Sequence, residues 1–221
     1  MAEHGDRVVD RAVVEDAVVA ANARLAGLVR VLTPAEAATP VAATPGWNAA
    51  DVAAHVLTVH RRALGDRRRS ETPEGTKALN QLVLDETPER DPAVLAELLE
   101  RDGPACVDVL RSLPVDLSFR FHGGTRTTVV PVTGVILGEV LVHGYDIAMA
   151  VGREWQLTDG EASLVLDAMA PMIDGWVERE GRVLLDRAAR EERPAALLLA
   201  LHRRESSSPL LSQLADHALS F

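Results

Sequence analysis

The stretch Glu139-Val-Leu-Val-His143 decides both the fold and the chemistry of this sequence. It lies within a predicted helix from about Val132 to Val151. Four residues advance a helix by about 400°, so Glu139 and His143 lie about 40° apart on one face. A carboxylate and an imidazole on one helix face can bind the same ion. The stretch therefore predicts half of a metal site.

A third ligand is available about eighty residues earlier, in Asp51-Val-Ala-Ala-His55. The preceding Ala43-Thr-Pro-Gly-Trp-Asn48 is turn chemistry, Asn48 can cap a helix, and Asp51 supports the positive end of that helix. A ligand from a second helix would leave a coordination position open, as in catalytic sites. Two imidazoles and a carboxylate suit Zn²⁺, and also Fe²⁺, Ni²⁺ or Mn²⁺. We expect His55, Glu139 and His143 to bind one divalent metal, with zinc as the default.

The rest of the chain predicts a mainly α fold. Apolar residues recur at helical spacing from Val8 to Leu32 and from Pro92 to Leu113. Residues 69 to 91 read as a long, partly helical connection, and residues 115 to 131 as a short hairpin or loop. Four antiparallel helices with a long crossover form a bundle, in which metal sites are built from inward side chains on facing helices.

The pattern changes after Gly152. A helix is expected to run to about Glu180 with a kink at Pro171, and the stretch from Pro194 to Phe221 shows no clear periodicity. The sequence therefore predicts a metal-binding helical bundle over residues 1–152, followed by a short C-terminal region over residues 153–221 that is helical or α+β.

Composition excludes several classes of partner. The net charge of −10 opposes binding to nucleic acid, and the basic run Arg67-Arg68-Arg69 is short and flanked by acids. No stretch reads as a membrane span, and the N-terminus does not read as a signal peptide. Cys106 is the single cysteine, so an intrachain disulfide is impossible. We expect a soluble cytoplasmic protein, either a monomer or a homodimer.

Two signatures in the chain resemble a known family. Thr44-Pro-Gly-Trp-Asn-Ala-Ala-Asp-Val-Ala-Ala-His55-Val resembles the opening signature of the mycothiol-dependent maleylpyruvate isomerases, a branch of the DinB-like four-helix metalloproteins that includes mycothiol S-transferase relatives. Leu137-Gly-Glu139-Val-Leu-Val-His143-Gly-Tyr-Asp146 is similar to the family's second signature, and Phe121-His-Gly-Gly is also similar. The resemblance covers about residues 8 to 180. It implies a DinB-like bundle in which His55, Glu139 and His143 bind a metal, usually zinc, whose open position takes water or a thiol such as mycothiol.

Three further residues are candidates for roles close to the metal. Asp146 lies about 60° from His143 on the helix and can orient that ligand, although a cap or a salt bridge is an alternative role. Trp47 either plugs the start of the second helix or lines the pocket. His60 lies about 140° from His55 and should point elsewhere.

The predicted loop before the fourth helix carries three more candidates. His122 is a candidate catalytic proton shuttle. Arg120 and Arg126 are candidates for holding a substrate carboxylate. The alternative for both arginines is simple exposure on the surface.

Two classes of function fit these features. A metal with an open position can hold a low-molecular-weight thiol as the thiolate, which then acts in S-transfer to an electrophile or in cis-trans isomerisation of a maleylpyruvate-like substrate. The alternative is a noncatalytic bundle that binds a metal or small ligand as a sensor, carrier or assembly partner. The family commonly carries an α/β domain after the bundle, and the short C-terminal region departs from that pattern.

Overall fold

A computed structural model describes the protein over residues 9–121, 125–177 and 180–218. The described chain is mainly helical, with ten helices and one two-stranded hairpin. In chain order the elements are α1 (Arg11–Arg30), α2 (Pro34–Ala37), α3 (Ala49–Ala63), α4 (Pro73–Asp85), α5 (Pro92–Ser112), β1 (Phe119–Arg120), β2 (Arg126–Thr127), α6 (Val129–Val151), α7 (Asp159–Trp176), α8 (Gly181–Glu191), α9 (Pro194–Leu201) and α10 (Pro209–His217).

Helices α1, α3, α5 and α6 form the predicted four-helix bundle. Both α1 and α3 pack against α5 and α6, so α1 and α3 occupy opposite corners. Aliphatic side chains fill the space between them, including the fully buried Leu25, Leu57, Leu99 and Leu141. Because α3 and α6 are neighbours in the bundle, the two helices that carry the predicted metal ligands face each other.

The start of α3 is fixed by the turn before it. The Asn48 side chain accepts a hydrogen bond from the Asp51 backbone N–H at 2.9 Å, and the Asp51 carboxylate accepts one from the Asn48 N–H at 3.0 Å. This reciprocal capping box satisfies two N–H groups that the helix leaves unpaired. It confirms the predicted cap and sets the rotation of the helix on which His55 lies.

Helix α6 begins three residues earlier than predicted, at Val129 instead of Val132. The prediction stopped at Pro131, but proline is tolerated in the first turn of a helix, where no intrahelical hydrogen bond is lost. The helix is long and apolar enough to cross a membrane by length and composition, yet 72% of its apolar window is buried inside the fold. Packing in the bundle therefore accounts for its apolar sequence.

Helix α5 continues through Pro104, which the sequence pattern did not explain. The Asn22 side chain of α1 donates a hydrogen bond to the Leu99 carbonyl oxygen at 2.7 Å, one turn before the proline. A Cβ atom on Gly103 would lie 2.2 Å from Asn22 Nδ2, so only glycine permits this close approach. The polar contact from α1 thus holds α5 one residue before Glu100, whose carbonyl loses its intrahelical partner because Pro104 has no N–H.

In the part that the structure describes, the C-terminal region contains four helices joined by turns and irregular segments, and an isolated bridge pairs Val177 with Ala218. Helix α7 runs through Pro171, packs on α6 and α9, and so joins this region to the bundle. Helices α8, α9 and α10 pack against one another. Of the two predicted alternatives, helical or α+β, the described residues therefore match the helical one.

Candidate metal centre

The structure brings the three predicted ligands together. Glu139 Oε2 lies 3.1 Å from His143 Nε2 and 3.4 Å from His55 Nε2. One ligand atom from each residue lies within 4.8 Å of the other two. The two imidazole rings meet edge to face, with centroids 5.1 Å apart. A single divalent ion can therefore contact all three side chains.

The donor set fits a metal better than it fits a hydrogen-bond network. Glu139 Oε2 is buried and has no hydrogen-bond partner among the described residues, although both Nε2 atoms approach it. An unpaired buried carboxylate oxygen is costly unless a cation compensates it. Imidazole nitrogen and carboxylate oxygen are the donors that Zn²⁺ and related first-row ions accept. This arrangement can hold a metal ion between α3 and α6.

Outside the three candidate ligands, Asp146 contacts His143. Asp146 Oδ2 lies 3.0 Å from His143 Nδ1, so the carboxylate can accept the Nδ1–H, and Nε2 is the ring nitrogen that faces Glu139. The Asp146 side chain is only 1% exposed. Arg204, from the C-terminal region, in turn donates to both oxygens of Asp146.

Trp47 lies beside the site instead of only closing the helix start. Its ring centroid is 4.9 Å from that of His55, and its Nε1–H donates to Gln81 Oε1 of α4 at 2.8 Å. Through Gln81, helix α4 therefore holds the indole beside the imidazole. Trp47 therefore forms part of the wall.

The three candidate ligands line a large cavity of about 1150 Å³. Its wall is mostly aliphatic and aromatic, with Trp47, Phe119, Phe121 and Ile136 among the lining residues. Arg62 of α3 and His202 of the C-terminal region also line it. The Arg62 guanidinium donates to the neutral side chain of Asn80. A cavity of this size can hold a small organic ligand beside the ligand set.

The electrostatics of the cluster show how strongly its members depend on one another. Burial raises the pKa of Glu139, but the His143 and His55 rings outweigh that effect and hold the pKa well below its usual value. Burial lowers the pKa of His143, but the hydrogen bond that Nδ1–H donates to Asp146 and the attraction of the nearby Glu139 carboxylate outweigh burial and raise the pKa to about 9. Burial also lowers the pKa of His55, which stays neutral near pH 7. In the metal-free site, the raised pKa therefore favours the form of His143 that carries a proton on both ring nitrogens.

We expect metal affinity to rise with pH by about tenfold per unit between pH 6.5 and about 9, because an incoming ion must displace one proton from His143. The stability of the metal-free fold changes with pH in the opposite direction. The raised pKa of His143 stabilises the metal-free fold below pH 6.5, and that contribution is lost as the pH rises through about 9. Competition with a chromophoric chelator of known protonation measures the affinity. A constant affinity across this window would contradict the assignment of His143.

Arg120 and Arg126 are not among the residues that line the cavity. Arg120 is exposed and pairs with Glu71 at 2.6 Å, and Arg126 is exposed and lies 3.4 Å from Ser118 Oγ. His122 lies outside the described residues. His60 is fully buried, is absent from the cavity lining and has a pKa lowered to about 4 by burial. Its orientation away from His55 agrees with the prediction.

Sequence reasoning missed Arg62, His202 and Arg204. Arg62 follows His55 by seven residues, which is two turns on the same face of α3, so helical spacing alone was a usable signal. His202 and Arg204 lie in a stretch without any motif. Only the folded chain places them beside α6.

The glycine in the His143-Gly144 pair has a packing role. A Cβ atom on Gly144 would lie 2.2 Å from Cζ2 of Trp155, and two other ring atoms would be 2.5 Å away. The indole of Trp155 therefore occupies the space that any larger residue would need. The Arg24 guanidinium covers the same indole, with Cζ 4.8 Å from the ring centroid.

Comparison with known proteins agrees with this geometry. A family model described as the mycothiol maleylpyruvate isomerase N-terminal domain matches residues 18–148. That match includes all three candidate ligands and Asp146. No curated protein and no solved structure matches the chain significantly.

Proposed function

The chain belongs to the family of mycothiol maleylpyruvate isomerase N-terminal domains, and on that premise we propose that it is a divalent-metal-dependent enzyme. It activates a low-molecular-weight thiol, mycothiol, for S-transfer to an electrophile or for cis-trans isomerisation of a maleylpyruvate-like substrate. The metal is Zn²⁺, bound by His55, Glu139 and His143. The observation that carries the proposal is the convergence of these three ligand atoms at the wall of a large cavity.

A divalent ion at this position would favour the thiolate form of a bound thiol, since the cation stabilises the negative charge. The residues around it perform the other tasks. Glu139 offsets part of the positive charge, and Asp146 orients His143 through Nδ1. Trp47 and Phe121 give the cavity an apolar wall, which excludes water from the sulfur nucleophile.

The positively charged residues of the cavity wall bear on which electrophile the site would accept. Arg62 is half buried beside the candidate ligands, and its guanidinium donates a hydrogen bond to the uncharged Asn80. Arg69 and Lys77 also line the cavity. A cation held by a neutral partner remains able to pair with an anion from the substrate. We therefore propose an electrophile that carries a carboxylate, for which Arg62 replaces the earlier candidates Arg120 and Arg126.

Two reactions are consistent with a thiolate in this cavity. In isomerisation, the sulfur adds to an activated carbon-carbon double bond, the resulting single bond rotates, and expulsion of the same thiolate restores the double bond in the other geometry. In S-transfer, a carbon-sulfur bond forms while a leaving group departs with the electron pair of its bond. The first reaction regenerates the thiol, and the second consumes it.

The test combines both readouts. The zinc-loaded protein is incubated with mycothiol and either maleylpyruvate or a chloronitrobenzoate, and the free thiol and the cis-to-trans conversion are followed separately. We expect turnover in one of the two assays, and slower reaction with the neutral methyl ester of chloronitrobenzoate than with the anion. Glu139→Gln, which keeps the size of the side chain, should lose both metal and activity.

Two results would contradict the proposal. Saturable binding of mycothiol to the zinc-loaded protein without turnover in either assay would favour the noncatalytic alternative, a sensor or carrier. Full activity after exhaustive removal of metal would exclude the metal-dependent mechanism. The proposed cellular location is the cytoplasm, where reduced thiols are kept available.

A further inference from the structure

One contact between the C-terminal region and the bundle leads through Asp146 to a candidate metal ligand. Arg204 Nε donates to Asp146 Oδ1 at 3.0 Å, and Arg204 Nη2 donates to Asp146 Oδ2. The same Oδ2 lies 3.0 Å from His143 Nδ1. A continuous chain of charged hydrogen bonds therefore runs from the C-terminal region to the imidazole that faces Glu139.

The backbone at the end of α9 places Arg204 in this position. Arg203 has a φ of 59°, a left-handed conformation that a non-glycine residue rarely adopts. The N–H groups of Arg203 and Arg204 close onto the carbonyls of Ala200 and Leu199 at 2.8 and 2.9 Å. The helix thus ends in a tight turn, and Arg204 Nη1 also donates to the His202 carbonyl oxygen.

The Arg204–Asp146 pair matters for the position of His143 because both side chains are largely buried. The side chain of Asp146 is 1% exposed and that of Arg204 is 14% exposed. A buried carboxylate without a cation is strongly disfavoured, and a guanidinium that grips both oxygens fixes the rotation of the carboxylate. The carboxylate orientation decides in turn where the His143 ring points.

We propose that Arg204 is a positioning residue of the metal centre. By fixing Asp146, it holds His143 with Nε2 directed at the ion, so that the short C-terminal region completes a site whose ligands all come from the bundle. This inference rests on the metal binding in the proposed function, but not on thiol chemistry.

The test measures metal binding in the full chain without any substrate. Arg204→Gln removes the charge and should weaken Zn²⁺ or Co²⁺ binding by about 10- to 100-fold, the usual effect of losing a group that orients a ligand. It should also shift the visible absorption band of the Co²⁺ form, because the geometry around His143 changes. Arg193→Gln is the matched control, since Arg193 pairs with Asp159 at 2.9 Å and its side chain is 78% exposed. That variant should bind metal as the wild type does.

Two further variants keep the inference falsifiable. Arg204→Lys retains the charge but not the two-pronged grip, so it should recover part of the affinity lost in Arg204→Gln; if the Gln variant does not fold, a severalfold loss in the Lys variant is the supporting result. In an Asp146→Asn background, Arg204→Gln should cause little additional loss, because Arg204 acts through Asp146.

Wild-type affinity and an unshifted Co²⁺ band in the folded Arg204 variants would overturn the positioning role. Fully additive losses in the double variant would overturn it as well. Failure of the wild type to bind either metal would instead contradict the proposed function, so the two failures are distinguishable.

Discussion

His55→Ala is expected to weaken metal binding by about 100- to 1,000-fold. Apparent zinc-binding free energies of about 10–16 kcal/mol in four-ligand sites correspond to about 2.5–4 kcal/mol for each ligand. The two remaining ligands, Glu139 and His143, lie on one helix and offer no grip from the opposite side. Titration of the metal-free variant against a competing chelator measures the loss. Metal analysis of the purified variant should show little bound ion.

His60→Ala is the matched control for this variant. His60 is also fully buried on α3, but it does not line the cavity, so its removal should cost stability without changing metal affinity. Thermal melts with and without added zinc separate the two effects, because a bound ion stabilises the folded state according to its affinity. Equal metal stoichiometry in wild type and His55→Ala would exclude the three-ligand site.

Gly144→Val is expected to lower the stability of the fold by about 3 kcal/mol, the upper end of the cost for overpacking a core. Trp155 already occupies the position of the missing side chain, at 2.2 Å from an added Cβ. In a chain of this size the loss corresponds to a decrease in Tm of about 6–12 °C. Thermal denaturation of the metal-free protein checks it, since bound metal would mask part of the change.

Gly27→Val provides the comparison on another bundle helix. No atom lies within 4 Å of a Cβ placed on Gly27 in α1, so the same substitution there should change stability by less than about 0.5 kcal/mol. Replacing Trp155 by Leu in the Gly144→Val background should restore part of the lost stability. A Gly144→Val variant as stable as Gly27→Val would contradict the packing role of Trp155.

The bundle and the grouping of His55, Glu139 and His143 were predictable because their signals are local. Helical spacing places Glu139 and His143 on one face, and Asn48 with Asp51 marks the start of α3 independently of the rest of the chain. The family resemblance agrees with the match to residues 18–148. Periodicity and capping depend on neighbours within a few residues, and a sequence displays those neighbours directly.

The outer part of the site was not predictable for the opposite reason. Arg204 reaches Asp146 across 58 residues, and no periodic pattern connects them. The arginines of the hairpin show a different limit. Arg120 and Arg126 form a cross-strand pair, as do Phe119 and Thr127. Successive strand residues point to opposite faces of the hairpin. Because Phe119 faces the cavity, Arg120 and Arg126 lie on the other face, which is exposed to solvent.

The buried thiol of Cys106 can serve as a probe of how often the bundle opens. Cys106 lies on α5 with no exposed surface, and burial raises its pKa to about 12. A thiol reagent can reach it only while α5 separates from its neighbours, so the rate of labelling reports how often the bundle opens. An ion that ties α3 to α6 should make such openings rarer. Slower labelling of Cys106 in the presence of zinc would therefore show that the bound metal reduces the frequency of bundle opening.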